Sequence, residues 1–186
     1  QVHPRGRVPS YLSSQADFVR GDVRNRKLLS EVLDGVEAVY HEAARVGVGQ
    51  SMYEIEEYVD ANTRGTAVLL ELLTTRRHAV KKLVVASSMS IYGEGAYRCP
   101  SCGPVQINER RESDLKHSRF DPVCGRDRTK VKLAPTPETK SLHPTSIYAT
   151  TKKDQEDMCL MIGRAYGIPT VALRYFNVYG PRQSLS

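Results

Sequence analysis

Short apolar runs alternate along this chain with longer stretches whose apolar residues recur at helical spacing. Ala16-Asp-Phe18-Val19 predicts a strand, Lys27 to Leu33 a short helix ended by Gly35, and Val36 to His41 a second strand. The segment from Tyr53 to Arg77 gives the clearest helical signal. It carries Val59, Leu69, Leu70, Leu72 and Leu73, opens with Glu54, Glu56 and Glu57, and closes with Arg76 and Arg77, the charge order that the helix dipole favours. Lys82-Leu-Val-Val-Ala86 is a β-branched strand, a helix from Ile147 to Tyr166 stops at Gly167, and Pro169 to Tyr175 predicts a last strand. Strand and helix in this order imply parallel β-α-β units.

The stretch from Glu94 to Pro144 breaks the rhythm. It holds six of the ten prolines, three of the four cysteines and 17 charged residues, and reads as an irregular insertion outside the main sheet. The chain thus divides into residues 1–93, the insertion 94–144, and residues 145–186, which resume the first unit. With 186 residues, 40% of them hydrophobic, it can bury a core. Its longest apolar runs, such as Ala67-Val68-Leu69-Leu70, fall far short of the roughly 20 residues of a membrane span, so the expectation is a soluble, cytoplasmic protein without membrane partners. A net charge of +6 suits phosphate-bearing ligands but is no histone-like excess.

Chemistry enters with Tyr148-Ala-Thr-Thr-Lys152. A four-residue step puts both side chains on one helical face. A phenol of pKa about 10 is a poor base at neutral pH, and a nearby ammonium favours its ionised form, so such a pair can take a proton from an alcohol. Ser87-Ser88-Met89-Ser90-Ile91-Tyr92-Gly93 directly follows an apolar strand, where α/β sheets present ligand-binding groups.

With these residues the sequence resembles the extended short-chain dehydrogenase/reductases of the nucleotide-sugar epimerase/dehydratase group. The resemblance runs from about Phe18 to Ser186, interrupted by the insertion, and implies an α/β Rossmann-like doubly wound parallel sheet that binds NAD. It assigns Ser88, Tyr148 and Lys152 as catalytic. Gly21-Asp22-Val23-Arg24 matches the stretch whose Asp and following aliphatic residue contact adenine, and His41-Glu-Ala43-Ala44 the stretch beneath the cofactor. Asn62-Thr-Arg-Gly65-Thr66 matches the helix signature whose Asn braces the active-site strand. Leu173-Arg-Tyr175-Phe176-Asn177-Val-Tyr179-Gly180-Pro181-Arg182 matches the segment lining the nicotinamide and the sugar nucleotide. The implied cofactor set is Asp22, Val23, Ala43, Ala44, Val46, Asn62, Ser87, Tyr148, Lys152 and Tyr175; the implied substrate set is Ser88, Ser90, Tyr148 and Asn177. Relatives commonly dimerise through a four-helix bundle, here the helices at Tyr53 to Arg77 and Ile147 to Tyr166.

The family's Gly-x-x-Gly-x-x-Gly, which holds the cofactor pyrophosphate, has no match: only Gly6 precedes Gly21. The expectation is therefore a chain truncated at both ends and inactive alone. In the family's reaction, the tyrosine takes the proton of the sugar 4-hydroxyl while hydride leaves C4 for NAD, giving a 4-keto sugar. Dehydratases add carboxylates right after the catalytic hydroxyl residue. Met89 and Ser90 stand there instead, which favours 4-epimerisation. The stretch Val46 to Tyr53, the cysteine insertion and Pro181-Arg-Gln-Ser resemble dTDP-L-rhamnose 4-epimerases, with UDP-glucose 4-epimerases or other dehydratases and reductases as alternatives.

Cys99-Pro-Ser-Cys102-Gly103 and Asp121-Pro-Val-Cys124-Gly125 look like two copies of one turn. They give Cys-x2-Cys, 18 residues, then Asp-x2-Cys, close to zinc-ribbon spacing. Either Cys99, Cys102, Asp121 and Cys124 hold zinc, with His117 as a substitute fourth ligand, or a decayed site merely turns the chain. A nucleic-acid-binding ribbon on an inactive scaffold is a reading of another class. It is disfavoured because the insertion carries only three excess positive charges, one Phe and one Tyr. Cys159 is expected to be a core thiol.

Overall fold

The computed structural model describes residues 11–107 and 110–181. The first helix, α1 (Arg26–Val32), starts where the Asn25 side chain accepts the Leu28 N–H at 3.2 Å, and the chain turns away at Gly35, whose φ of 70° suits a residue without Cβ. β1 (Ala38–His41) follows. The helical run expected from Tyr53 to Arg77 is present but not regular: α2 (Ile55–Tyr58) passes through a π-helical turn at Val59–Arg64 into α3 (Gly65–Thr75). The Thr66 hydroxyl donates back to the Asn62 carbonyl at 2.7 Å. Next come β2 (Lys82–Ser88), β3 (Ala96–Cys99), β4 (Gly103–Val105), α4 (Glu112–Lys116) and β5 (Lys132–Ala134). α5 (Ile147–Tyr166) is capped by Ser146, which accepts the Ala149 N–H at 3.1 Å, and it ends at the left-handed Gly167; β6 (Thr170–Tyr175) follows.

The main sheet is parallel, in the order β1-β2-β6, with His41 opposite Val85 and Ser88 opposite Tyr175. All three strands therefore end on one edge, the edge at which open α/β sheets bind ligands. One face of the sheet carries the core: Leu69, Leu70, Leu72 and Leu73 of α3, Leu83 and Val85 of β2, Cys159 of α5, and Ile168. Cys159 is thus the buried thiol its position predicts. Because α5 runs back against the strands, its first turn lies at their C-terminal edge.

Two expectations need correction. Residues 16–19 form no strand, and Phe18 and Val19 are each about half exposed. β2 takes up one side of β1, and among the described residues nothing pairs with residues 16–19, so their β propensity has no ladder to join. Nor is the segment 94–144 irregular throughout: β4-β3-β5 form a separate antiparallel sheet. This sheet's segment is tied to the body by Arg174, which donates to the Tyr92 hydroxyl at 2.8 Å and the Glu138 carbonyl at 2.9 Å, and by Lys140, which donates to the Tyr92 carbonyl at 2.9 Å. Gly93 permits the close return of the chain, since a Cβ there would sit 2.3 Å from the His143 carbonyl oxygen at a φ of 66°. Among the described residues, no helix is long and apolar enough to cross a membrane.

Candidate active site

Ser88, the last residue of β2, and Tyr148, in the first turn of α5, both sit at the C-terminal edge of the sheet, and both are buried. Tyr148 is positioned twice over. Its backbone N–H donates to Ser51 Oγ at 3.0 Å, and its ring meets the Tyr58 ring edge-on with centroids 6.5 Å apart. The Arg45 guanidinium lies over Tyr58, 5.4 Å from its centroid, and so fixes the ring that Tyr148 packs against. Ser88 Oγ accepts the Ser90 N–H at 3.2 Å and has the Ser90 hydroxyl 2.9 Å away, an arrangement that caps the turn Met89–Tyr92 and leaves the Ser88 proton to donate.

Lys152 lies one helical turn after Tyr148 and is only 3% exposed. Burial pushes its amine down to about 8, with the Glu42 carboxylate opposing the shift. It donates to Gln155 Oε1 at 2.8 Å, and Gln155 is itself fully buried. From there a polar network runs through the core. Gln155 Nε2 donates to Thr66 Oγ1 at 2.8 Å, Thr66 donates to the Asn62 carbonyl, and His41 Nε2 lies 2.7 Å from Thr66 Oγ1. Gln155 Nε2 also lies 3.2 Å from His41 Nε2, so this imidazole nitrogen sits between the Thr66 hydroxyl and the Gln155 amide. Asn62 is fully buried; it takes the Arg45 N–H at 2.7 Å, returns a bond to the Arg45 carbonyl at 3.1 Å and donates to Thr151 Oγ1 at 3.0 Å.

Burial, reinforced by the Lys152 charge, pushes His41 down to about 4. An unfolded chain takes up a proton below about 6.5 while the folded state refuses it until about 4, so stability is complete above the first value and is lost as pH falls through that window. The shift corresponds to about 3 kcal/mol at pH 4. Urea unfolding at pH 7 and pH 4.5 should show a loss in the parent that His41→Gln lacks in large part; parallel pH profiles would contradict the buried neutral imidazole.

The residues assigned to the cofactor fall in two places. Asp22, Val23, Ala43 and Ala44 line one cleft of about 630 Å³ together with Arg45, Asp60 and Ala61. The Arg24 guanidinium and N–H hold the Asp22 carboxyl at about 2, so it is an obligate acceptor at neutral pH. The small alanine side chains and this acceptor suit the adenosine end of a dinucleotide; Tyr148 and Lys152 do not line this cleft. Val46 is exposed beside the cleft. Ser87 is buried on the opposite face of β2 from Ser88, its hydroxyl without a hydrogen bond, and the nearby Glu156 carboxylate is held ionised by Arg174. Tyr175 borders a separate cleft of about 780 Å³ with Thr136, Glu138, Arg174 and Phe176, and Asn177 is exposed just after β6. Ser90 is half-buried beside Ser88.

Sequence reasoning missed the roles of Gln155, Thr151 and Ser51, and took Thr66 only as the end of the Asn62–Thr66 signature. Gln155 carries a usable signal, lying three residues after Lys152 on the same helical face; Ser51 carries none.

In the second candidate site the reading needs a correction. Cys99, Cys102 and Cys124 converge as expected, but the fourth group is Asp127, and the four ligand atoms lie within 4.8 Å of one another. Asp121 is 79% exposed and pairs with Lys130 at 3.5 Å, and His117 is exposed with its Nδ1 2.7 Å from the Ser113 carbonyl. The reason is backbone geometry: Cys124 occupies the first ligand position of its turn, because Arg128 donates back to the Cys124 carbonyl at 3.0 Å and so closes the turn over Asp127.

Residues 2–116 and 121–186 match the NAD dependent epimerase/dehydratase family. A dTDP-L-rhamnose 4-epimerase of Burkholderia thailandensis is 30% identical over the whole chain, which covers 50% of that protein. A UDP-glucose 4-epimerase of Halalkalibacterium halodurans is 31% identical over 90% of the chain and 39% of the relative. The crystal structure of UDP-glucuronic acid 4-epimerase from Bacillus cereus in complex with NAD superposes with a TM-score of 0.64 at 29% identity, covering 92% of this chain and 42% of that one. The chain thus spans half or less of these relatives.

Proposed function

Because the chain belongs to the NAD dependent epimerase/dehydratase family, we propose that it carries the proton-transfer site of a nucleotide-sugar 4-epimerase. The observation that carries this reading is the buried Lys152 one turn beyond Tyr148, at the sheet edge where Ser88 ends β2. NAD, when bound, supplies the hydride acceptor and donor at C4 of the sugar. Asp22 and Val23 would hold its adenine end, Ala43, Ala44 and Val46 its length, and Tyr148 and Lys152 its nicotinamide ribose, with Asn62 bracing the site; Ser87 and Tyr175, on the opposite face of β2 and on a separate cleft, take no part in this reading.

Tyr148 takes the proton of the sugar 4-hydroxyl and returns one to the same oxygen after the ring has turned over. The Lys152 ammonium, still largely charged at pH 7, stabilises the phenolate that this exchange requires. Ser88 donates to the reacting oxygen and holds it while its charge changes. Substrate contacts come from Ser88, Ser90, Tyr148 and Asn177. Met89 and Ser90 offer no carboxylate to remove a C5 proton, which supports epimerisation over 4,6-elimination. A dTDP-6-deoxyhexose of the L-rhamnose type is the first choice of substrate, and UDP-glucose the second, since identity to the two kinds of relative is nearly equal. Exposed Ile55, Val59 and Met161 on the helices named for the bundle support a homodimer of the complete protein.

The test is to incubate the complete protein and NAD with a panel of dTDP- and UDP-sugars and follow C4 configuration by proton NMR. Inversion of at least one sugar at C4 is expected. Loss of water without inversion would make the protein a dehydratase, and no conversion of any sugar would overturn the reading.

A further inference from the structure

We propose that Cys99, Cys102, Cys124 and Asp127 bind one Zn²⁺ in a closed tetrahedral site that staples the small antiparallel sheet. Four side chains converge there, and what they bind is independent of the epimerase reading.

The distances fit a metal. A tetrahedron built with zinc–sulfur bonds of about 2.3 Å and a zinc–oxygen bond of about 2.0 Å has sulfur–sulfur edges of about 3.8 Å and sulfur–oxygen edges of about 3.5 Å. Cys102 Sγ and Cys124 Sγ are 3.9 Å apart, Cys99 Sγ lies 3.5 Å from Asp127 Oδ2, and Cys102 Sγ lies 3.8 Å from the same oxygen. The thiols are free, at a separation almost twice the roughly 2.05 Å of a sulfur–sulfur bond. The Asp127 carboxylate is oriented as a ligand should be: its Oδ1 accepts the Thr129 N–H at 3.0 Å, which leaves Oδ2 towards the sulfurs.

The two halves of the site share one backbone form. Cys99-x-x-Cys102 is followed by Gly103 at a φ of 74°, and Cys124-x-x-Asp127 by Arg128 at a φ of 63°. Glycine takes that conformation freely, whereas arginine rarely does, and the backbone bond from Arg128 to Cys124 holds the second turn in it. A ligand bond at Asp127, just before Arg128, would add to that hold.

The sheet also needs such a fastening. Its strands are three or four residues long, and apart from Cys99 and Cys124 the buried apolar residues described between Glu94 and Pro144 are Tyr97 and Ile107. So little apolar burial cannot hold three short strands together in water. Three soft thiolates select zinc over magnesium or calcium, and four protein ligands leave no open position for a reacting water, which makes the role structural.

The test is elemental analysis of the complete protein purified without oxygen or chelator, with thiol counting and competition against a chromogenic zinc chelator. One zinc per chain is expected, released when the thiols are capped with a mercurial. Asp127→Ala should weaken zinc retention at least tenfold, whereas Asp121→Asn should hold its zinc like the parent. Cys99→Ser should lose the metal; should that variant fail to fold, the comparison of the two aspartate variants still decides. Substoichiometric zinc in the parent, a Cys102–Cys124 disulfide in protein kept anaerobic, or equal zinc retention by Asp127→Ala and the parent would each overturn the site.

Discussion

Replacing Tyr148 with Phe should lower turnover of the complete enzyme by about three orders of magnitude, within the roughly 10²–10⁴-fold that a positioned acid–base group supplies. The fold should survive. The exchange removes one oxygen, keeps the ring against Tyr58 and leaves the backbone bond from residue 148 to Ser51 in place. Unfolding free energy should therefore change by less than about 1 kcal/mol. The discriminating feature is the split: kcat collapses while KM for the sugar nucleotide moves little, because the hydroxyl acts when charge is transferred. A variant retaining a tenth of parental kcat would mean that another group handles the proton.

The second large effect is on stability. Asn62→Ala removes a fully buried amide that joins three segments, since it bonds to both backbone groups of Arg45 and to Thr151, the neighbour of Lys152. The backbone N–H and C=O of Arg45 would lose a partner, and Thr151 Oγ1 would lose its donor while keeping its bond to the Tyr148 carbonyl at 2.9 Å. Each such orphaned group costs roughly 1–3 kcal/mol, and partial relaxation brings the expected total to about 3 kcal/mol in urea unfolding. A loss below about 0.5 kcal/mol would mean that these bonds are replaced elsewhere. Because Thr151 shares the turn between Tyr148 and Lys152, the surviving folded fraction should also show a lower kcat.

What could be read from the sequence was local. Ser146 and Gly167 bound α5 through interactions within a few residues, so its ends were legible, and the Tyr148 to Lys152 spacing follows from helical periodicity alone. The parallel order of the main strands follows from their alternation with helices. Residues 16–19 show the opposite case: their strand propensity is real, but a strand is a partnership and no partner lies beside them among the described residues. The π-helical turn at Val59–Arg64 is likewise invisible to a 3.6-residue period. The Lys152–Gln155–Thr66–Asn62 network draws on two helical segments distant in sequence, so no spacing rule finds it. At the cysteine turns the misreading has a single cause. Gly125 beside Cys124 resembles Gly103 beside Cys102, which put Asp121 in the ligand set. The residue in the left-handed conformation is in fact Arg128, and it moves the ligand to Asp127.

The most direct test of the central claim is isotopic. The complete protein is given its sugar nucleotide deuterated at C4, in protiated water. If Tyr148 exchanges only the hydroxyl proton, with Lys152 and Ser88 holding the charge, the C4-inverted product keeps its deuterium. Deuterium washed out to solvent during inversion would show that a base removes the C4 hydrogen as a proton, and would contradict the account.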